Sequence, residues 1–315
     1  MTDFATRLRQ LRGQNRLRQK DLAETLGLAQ TTIANYEQGS RFPDEKTLYA
    51  MADYFRVSLD FLLGRSDVNL LPENVGYGSA FFSDRSEDLG PLSPLAKRYL
   101  DTLLAGDREQ ASRLVIEAFE GGASIEALYL EVFERALKEV GLLWSQSRLD
   151  VGTEHFFTAS TLTIMSQLYP HLVAQARERD GRTCLVFSVC GEFHEVGPRM
   201  VGDLLEREGW RCFFLGGNLC NEDIVKAAVE HRADLVALSA TMYLNVDSVA
   251  RLIRTLRDEE ALRRIKIMVG GRPFNLDPEL WKRVGADGYA CDASEAPAVA
   301  ERLVSRSRAG IELDR

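Results

Sequence analysis

No apolar run in this 315-residue sequence approaches the roughly 20 residues that a helix needs to cross a bilayer. The opening stretch, Met1-Thr2-Asp3-Phe4-Ala5-Thr6-Arg7, also lacks the layout of a secretory leader. No membrane partner and a cytoplasmic location are therefore expected. Cysteine is scarce: Cys184, Cys190, Cys212, Cys220 and Cys291 form no CxxC pair and no zinc spacing. Their strand-like surroundings suggest small buried hydrophobes in a reducing compartment. Positive charge is short in the body of the chain but not at its start. Residues 1–66 carry ten Lys/Arg against eight Asp/Glu, the remainder 29 against 39. Only the first segment suits a nucleic-acid partner, with the acidic body kept off the phosphates. The length suggests two or three domains, and 45% apolar with 27% charged residues is ordinary for globular protein.

What is present begins with a spacing pattern over Arg18–Glu37. Ala23 is small where two helices would cross, Gly27 falls at a tight turn, and Ile33 points back into a core with Leu22, Leu26 and Tyr36. Leu48, Ala52, Phe55, Leu59, Phe61 and Leu62 continue the apolar pattern through two more helices. Residues 4–65 thereby resemble the Cro/phage-repressor (XRE) family of helix-turn-helix proteins, down to the ending Asn35-Tyr36-Glu37-Gln38-Gly39. The resemblance implies a second helix lying in the major groove of double-stranded DNA. Gln30, Thr31 and Asn35 would face base edges, where Gln and Asn can bond adenine and a threonine methyl can meet thymine. Gln19 and Arg41 would contact phosphates by the same resemblance. An operator with palindromic half-sites about one helical turn apart is expected.

From 67 to 92 periodicity is lost among glycine, serine, proline and acids, as in a linker, with Phe81-Phe82 inside it. Over 93–180 four helical patterns follow, near 94–104, 107–120, 123–145 and 151–177. The third carries an apolar stripe of Ile125, Leu128, Val132, Ala136, Val140 and Leu143. Short connections predict a four-helix bundle. The turn at Ser147–Gly152 brings Trp144 and Glu154-His155 to one end of it. There an aromatic face, a carboxylate and an imidazole could roof a large flat ligand; core packing and a first-turn acid explain the same residues equally simply.

Over 181–315 apolar runs near 183–189, 211–215, 234–239, 265–270 and 287–291 alternate with amphipathic helices. Five such units predict an α/β, flavodoxin-like (Rossmann-like) parallel sheet, with ligand outside the carboxyl ends of the strands. At the first end stands Glu192-Phe193-His194-Glu195-Val196-Gly197. A histidine on a strand-to-helix loop suits a metal ligand, with Glu192 fixing its tautomer and Gly197 leaving room beside it. Ser239 and Thr241 follow the third strand and Gly270-Gly271 the fourth, leaving a channel lined by small and hydroxyl residues. No phospho-acceptor aspartate follows the first strand, which argues against a response-regulator domain.

These residues resemble the cobalamin-binding domain of methionine synthase and corrinoid proteins, with Glu192 in place of that motif's aspartate and Thr241 in place of a leucine. The resemblance implies that His194 ligates cobalt in place of the ligand's own base. The freed nucleotide tail then enters by Ser239, Thr241, Gly270 and Gly271. Residues 95–305 as a whole look like the adenosylcobalamin photoreceptors of the CarH type, which adds Trp144 over the adenosyl group and Glu154 on its ribose. Two departures stand out: the DNA-binding part is XRE-like rather than MerR-like, and Ser145 stands where a histidine often ligates cobalt after photolysis. His155 or water is left for that face. A light-responsive repressor is expected, binding adenosylcobalamin or methylcobalamin and forming a homo-oligomer, dimer or tetramer, with no enzymatic activity. The alternatives are a regulator sensing cobalamin supply, methylation or redox state without light, and a methyl-carrying corrinoid protein.

Overall fold

A computed structural model of the protein describes residues 4–55, 57–64, 92–146 and 148–312. The expected linker, with Phe81 and Phe82, lies outside the described residues except at Leu92. The chain forms two compact units.

The first unit is helical: α1 (Phe4–Gln14), α2 (Gln19–Leu26), α3 (Gln30–Glu37), α4 (Glu45–Phe55) and α5 (Leu59–Leu62). Gly27 ends α2 in the left-handed region at φ 65°, which a residue with a Cβ adopts at a cost, and the chain re-enters a helix three residues later. Leu22, Ala23, Ile33, Tyr36, Met51, Ala52 and Leu62 are buried around Leu8 and Leu11. Charged side chains are buried with them, Glu37 and Arg7 among them. Glu37 accepts from Arg12 at 2.5 and 3.0 Å and from the Gln19 amide at 2.9 Å. Burial works to raise the Glu37 pKa, but the Arg12 and Gln19 bonds outweigh it and hold the carboxyl below its ordinary value.

The second unit begins with four helical segments whose starts are each capped by a polar side chain. Ser93, Asp107, Ser124 and Asp150 accept the backbone N–H three residues on, satisfying donors that have no partner inside the helix. They open α6 (Pro94–Leu104), α7 (Arg108–Glu120), α8 and α9 (Val151–Ala174). Helix α8 is composite: Ile125–Ala127, a π-helical turn at Leu128–Glu134, then Arg135–Ser145. Its apolar stripe packs into the core from Ile125 to Val140, leaving Leu143 half-buried outside it, and Tyr99, Phe133 and Phe157 are fully buried in the same core. The Tyr99 ring stands 5.2 Å from Phe133 and 5.7 Å from Phe157.

The rest of this unit is a five-stranded parallel sheet: β1 (Thr183–Ser188), β2 (Arg211–Gly216), β3 (Leu235–Ser239), β4 (Lys266–Gly270) and β5 (Gly288–Ala290), in the order β2-β1-β3-β4-β5. β1 is buried along its whole length, as a strand covered on both faces must be. Helix α10 (Val196–Arg207), which leaves the β1 end, belongs to two cores at once. Its Val196, Met200 and Leu204 join the core of the four-helix segment, while Leu205 faces the sheet. Polar contacts complete that seam. Tyr129, in the π turn, donates its hydroxyl to the buried Asp203 at 2.7 Å, and Arg199 donates to the same carboxylate at 2.8 Å. Tyr169 donates to Glu206 and Arg207 to Glu126. The helical segment is thus a cap fixed to the one helix that follows the His194 loop.

The cysteine expectation is corrected here. Cys184 is buried and Cys212 half-buried, but Cys190, Cys220 and Cys291 are exposed. Each of these three lies just beyond a strand's carboxyl end, where the chain turns back to the surface.

Candidate functional site

The order β2-β1-β3 means that the chain reverses direction of travel across the sheet between β1 and β3, and a crevice opens outside the ends of those strands. The residues on either side of it are small and in register. Ser188 pairs with Ser239, Ser239 with Gly270 and Gly270 with Ala290, so four adjacent strands end in residues with little or no side chain. Gly271 follows with φ 100°, and a Cβ there would run into the Ala240 carbonyl. The backbone is drawn in at this point, and no other residue fits.

Glu192 spans the crevice from below. It is 1% exposed, and its two carboxylate oxygens are divided: one meets His194 Nδ1, the other accepts the Thr241 N–H at 2.7 Å. A carboxylate buried in this way needs both partners. With Nδ1 engaged, the imidazole presents Nε2 as its available nitrogen, on a side chain that is 48% exposed. Burial works to lower the His194 pKa, but the bond and charge of Glu192, helped by the charge of Glu154, raise it above its ordinary value. The Ser188 hydroxyl donates to the His194 carbonyl at 2.7 Å, tying the loop to the strand it leaves.

On the cap, Glu154 is held by Thr158 at 2.9 Å, and the exposed His155 lies 3.6 Å from the Glu154 carboxylate. Trp144 is half-buried near the end of α8, which finishes at Ser145. Phe193, beside His194, is 67% exposed, and Val151, at the start of α9, is 52% exposed. A large apolar side chain left in water next to a half-exposed imidazole, as Phe193 is, is what a sizeable apolar ligand would cover. Gly197 sits in the first turn of α10, where an added Cβ would meet no protein atom within 4 Å; the space there is open.

Two details depart from the expected roles. Thr241 reaches Glu192 through its backbone N–H rather than its hydroxyl. A second loop, after β2, also takes part. Gly217 donates its N–H to Glu195 at 2.9 Å, Asn218 accepts from the Gly191 N–H at 3.0 Å, and the Asn218 N–H donates to the Glu192 carbonyl at 3.1 Å. The signal for this second loop was Gly216-Gly217-Asn218 directly after an apolar strand, a turn sequence whose partner in space no periodicity reveals.

These residues fit a cobalt corrinoid. They offer one oriented imidazole nitrogen for an axial position, a backbone cradle that a Cβ at Gly271 would fill, and a strand-end row too small to block a long substituent. Among the described residues no cluster of three or more His, Cys, Asp or Glu could by itself enclose a metal ion.

In the first unit, Gln30, Thr31 and Asn35 are exposed on α3, and Arg41 is exposed in the loop after it. The Gln19 amide donates to Glu37 at 2.9 Å and so ties α2 to α3 through that carboxylate.

Comparison with known proteins agrees with both parts. The B12 binding domain pattern matches residues 182–298, a second B12 binding domain pattern matches 95–169, and a helix-turn-helix pattern matches 8–62. Dimethylamine corrinoid protein 3 of Methanosarcina acetivorans is 30% identical over 221 residues, which is 69% of this chain and 100% of that protein. Dimethylamine corrinoid protein 2 of Methanosarcina mazei is 32% identical over 179 residues, 55% of this chain and 82% of its own. The solved monomethylamine corrinoid protein of Methanosarcina barkeri shares the fold, with a TM-score of 0.59 at 24% identity over 65% of this chain and 96% of its own.

Proposed function

The chain belongs to the corrinoid protein family over its cap and α/β domain, and from that premise we propose that it is a cobalamin-dependent transcriptional repressor that responds to light. The observation that carries the regulatory reading is the joining of a DNA-binding helix-turn-helix to two B12-binding regions in one chain. A methyl carrier has no use for the former.

An adenosyl form of the cofactor supplies a cobalt–carbon bond that light can break. The chain's own residues do the rest. His194 Nε2 would hold the cobalt, with Glu192 keeping the imidazole oriented by its hold on Nδ1. Ser239, Thr241, Gly270 and Gly271 make room for the nucleotide tail. Trp144, Glu154 and His155 on the cap would receive the adenosyl group. The protein acts by binding, not by turnover.

A magnitude favours assembly. Moving a population from 1:99 to 99:1 takes about 5.5 kcal/mol of differential affinity, and losing even a fully buried aromatic side chain is worth about 3–5 kcal/mol, more than the half-buried Trp144 supplies. One Trp144 contact falls short, whereas two or more copies acting together on paired half-sites exceed it. A homo-oligomer on palindromic DNA follows.

The test is to load the full chain with adenosylcobalamin in darkness and measure its affinity for DNA from its own upstream region, and its mass, before and after complete photolysis. The expectation is tight binding and a larger assembly in the dark, both lost in light. Equal affinity and mass in the two states would refute the light reading. A second reading, response to the methylation state of the cofactor in darkness, is favoured by the methylamine corrinoid relatives. It predicts that methylcobalamin and hydroxocobalamin give different DNA affinities without illumination.

A further inference from the structure

We propose that Asn218, in the loop after β2, is a positioning residue for the axial histidine, acting through Glu192. The proposal rests on the reading that His194 ligates the cobalt of a corrinoid. Asn218 is exposed, and the turn sequence that holds it does not single it out. Its bonds do. Its side-chain oxygen accepts the Gly191 N–H at 3.0 Å while its own N–H donates to the Glu192 carbonyl at 3.1 Å. The two bonds grip the backbone on both sides of the peptide that leads into Glu192. From there the chain of contacts is short. The Glu192 carboxylate bonds the Thr241 N–H with one oxygen and His194 Nδ1 with the other, so the direction of the imidazole depends on where the Glu192 backbone sits.

The conformation of Asn218 serves the same end. It has φ 56°, one of the few described non-glycine residues in the left-handed region, and asparagine is among the side chains that tolerate this best. The left-handed turn aims the N–H and the side-chain oxygen at the neighbouring loop together. Gly217 N–H, bonded to Glu195 at 2.9 Å, fixes the same two loops one residue further along. The β1 loop therefore has little freedom to swing His194 away from its ligating direction. Metal ligands are commonly held by such outer partners, and loosening one lowers affinity without removing a ligand.

Cobinamide, a corrinoid with no nucleotide tail, is the probe, because its affinity depends on the axial ligand rather than on the tail channel. Full-length apoprotein is titrated with it and followed by absorbance. Asn218→Gly deletes the acceptor while keeping a backbone that accepts positive φ. Loss of one neutral hydrogen bond should weaken cobinamide binding about five-fold. Asn218→Asp restores the acceptor and should recover wild-type affinity. In a His194→Ala background, Asn218→Gly should have no further effect, since there is no imidazole left to position. Unchanged affinity in Asn218→Gly, or equal weakening with and without His194, overturns the proposal. If wild type and His194→Ala bind cobinamide alike, the ligation reading itself fails, and this inference with it.

Discussion

Replacing Glu192 with alanine removes one side chain, and with it a long 3.4 Å bond from the His194 N–H and two closer contacts. The Thr241 N–H loses an acceptor at 2.7 Å, and His194 Nδ1 loses the group that fixes its tautomer and ring direction. Hydrogen bonds to a charged group are each worth about 1.5–3 kcal/mol, and removing the outer partner of a metal-bound histidine commonly costs 10–100-fold in affinity. The two figures are consistent, since a ten-fold loss corresponds to about 1.4 kcal/mol and a hundred-fold loss to twice that. Glu192→Ala should therefore bind cobalamin about 10- to 100-fold more weakly. Its effect on folding should be smaller, because the buried carboxylate carries a desolvation cost of its own that disappears with it. The assay is titration of apoprotein with hydroxocobalamin, followed by absorbance, alongside thermal unfolding of each variant. Affinity within about two-fold of wild type, with the fold intact, would refute the linkage between Glu192 and a cobalt-bound His194.

Gly271→Ala forces a Cβ into the Ala240 carbonyl at φ 100°, so it should lower both stability and cobalamin affinity. Gly270→Ala, whose Cβ would stand 3.2 Å from the Ala290 carbonyl, should be milder; the reverse ranking in binding and melting experiments would contradict the strand-end cradle. Tyr129→Phe leaves the buried Asp203 with Arg199 as its remaining partner and should cost about 1–3 kcal/mol in the unit that holds the cap and sheet. Denaturation followed by the fluorescence of buried Trp210 reports on that unit, and no change in midpoint would count against the seam. For the helix-turn-helix, Glu37 is held below its ordinary pKa of 4.5, so the ionised pair with Arg12 contributes stability that is complete above that pH. That stability is lost as pH falls through the depressed value. Amide-exchange protection in α1–α3 should fall below pH 4.5 and fall at higher pH in Arg12→Ala, where the buried acid has lost its main partner; identical profiles would contradict the pairing.

Local patterns carried most of the fold. Apolar runs as short as Leu235–Ser239 could be read as strands because β-branched and small residues fill them between helical patterns, and their number and alternation fixed a parallel sheet. The helix-turn-helix was legible for the same reason: Ala23, Gly27 and Ile33 each answer to one steric demand at a set spacing. The pair Glu192 and His194 lies within one loop and was equally visible. What escaped was contact between loops. Nothing in the run Gly216-Gly217-Asn218 says that it grips Gly191 and Glu192, since hydrogen bonds to backbone depend on where two strand ends come together, not on side-chain periodicity. The same holds for the bond from Gln19 to Glu37 and for the Tyr129 hydroxyl, which donates to Asp203. The π turn at Leu128–Glu134 shifts the stripe by a fraction of a turn, too little to disturb an apolar pattern read by eye. Cysteines at 190, 220 and 291 were misread because they adjoin strands without being part of them.

The central claim is that His194 of a DNA-binding chain holds the cobalt of a corrinoid. The direct test is the electron paramagnetic resonance spectrum of the protein loaded with cob(II)alamin, recorded with ordinary histidine and with histidine labelled by nitrogen-15. Ligation by an imidazole nitrogen predicts that each cobalt line is split into three by the ordinary isotope and into two by the heavy one, and that both splittings vanish in His194→Ala. A three-line pattern that ignores the label would mean that the ligand's own base stays on the metal, and the account would be wrong.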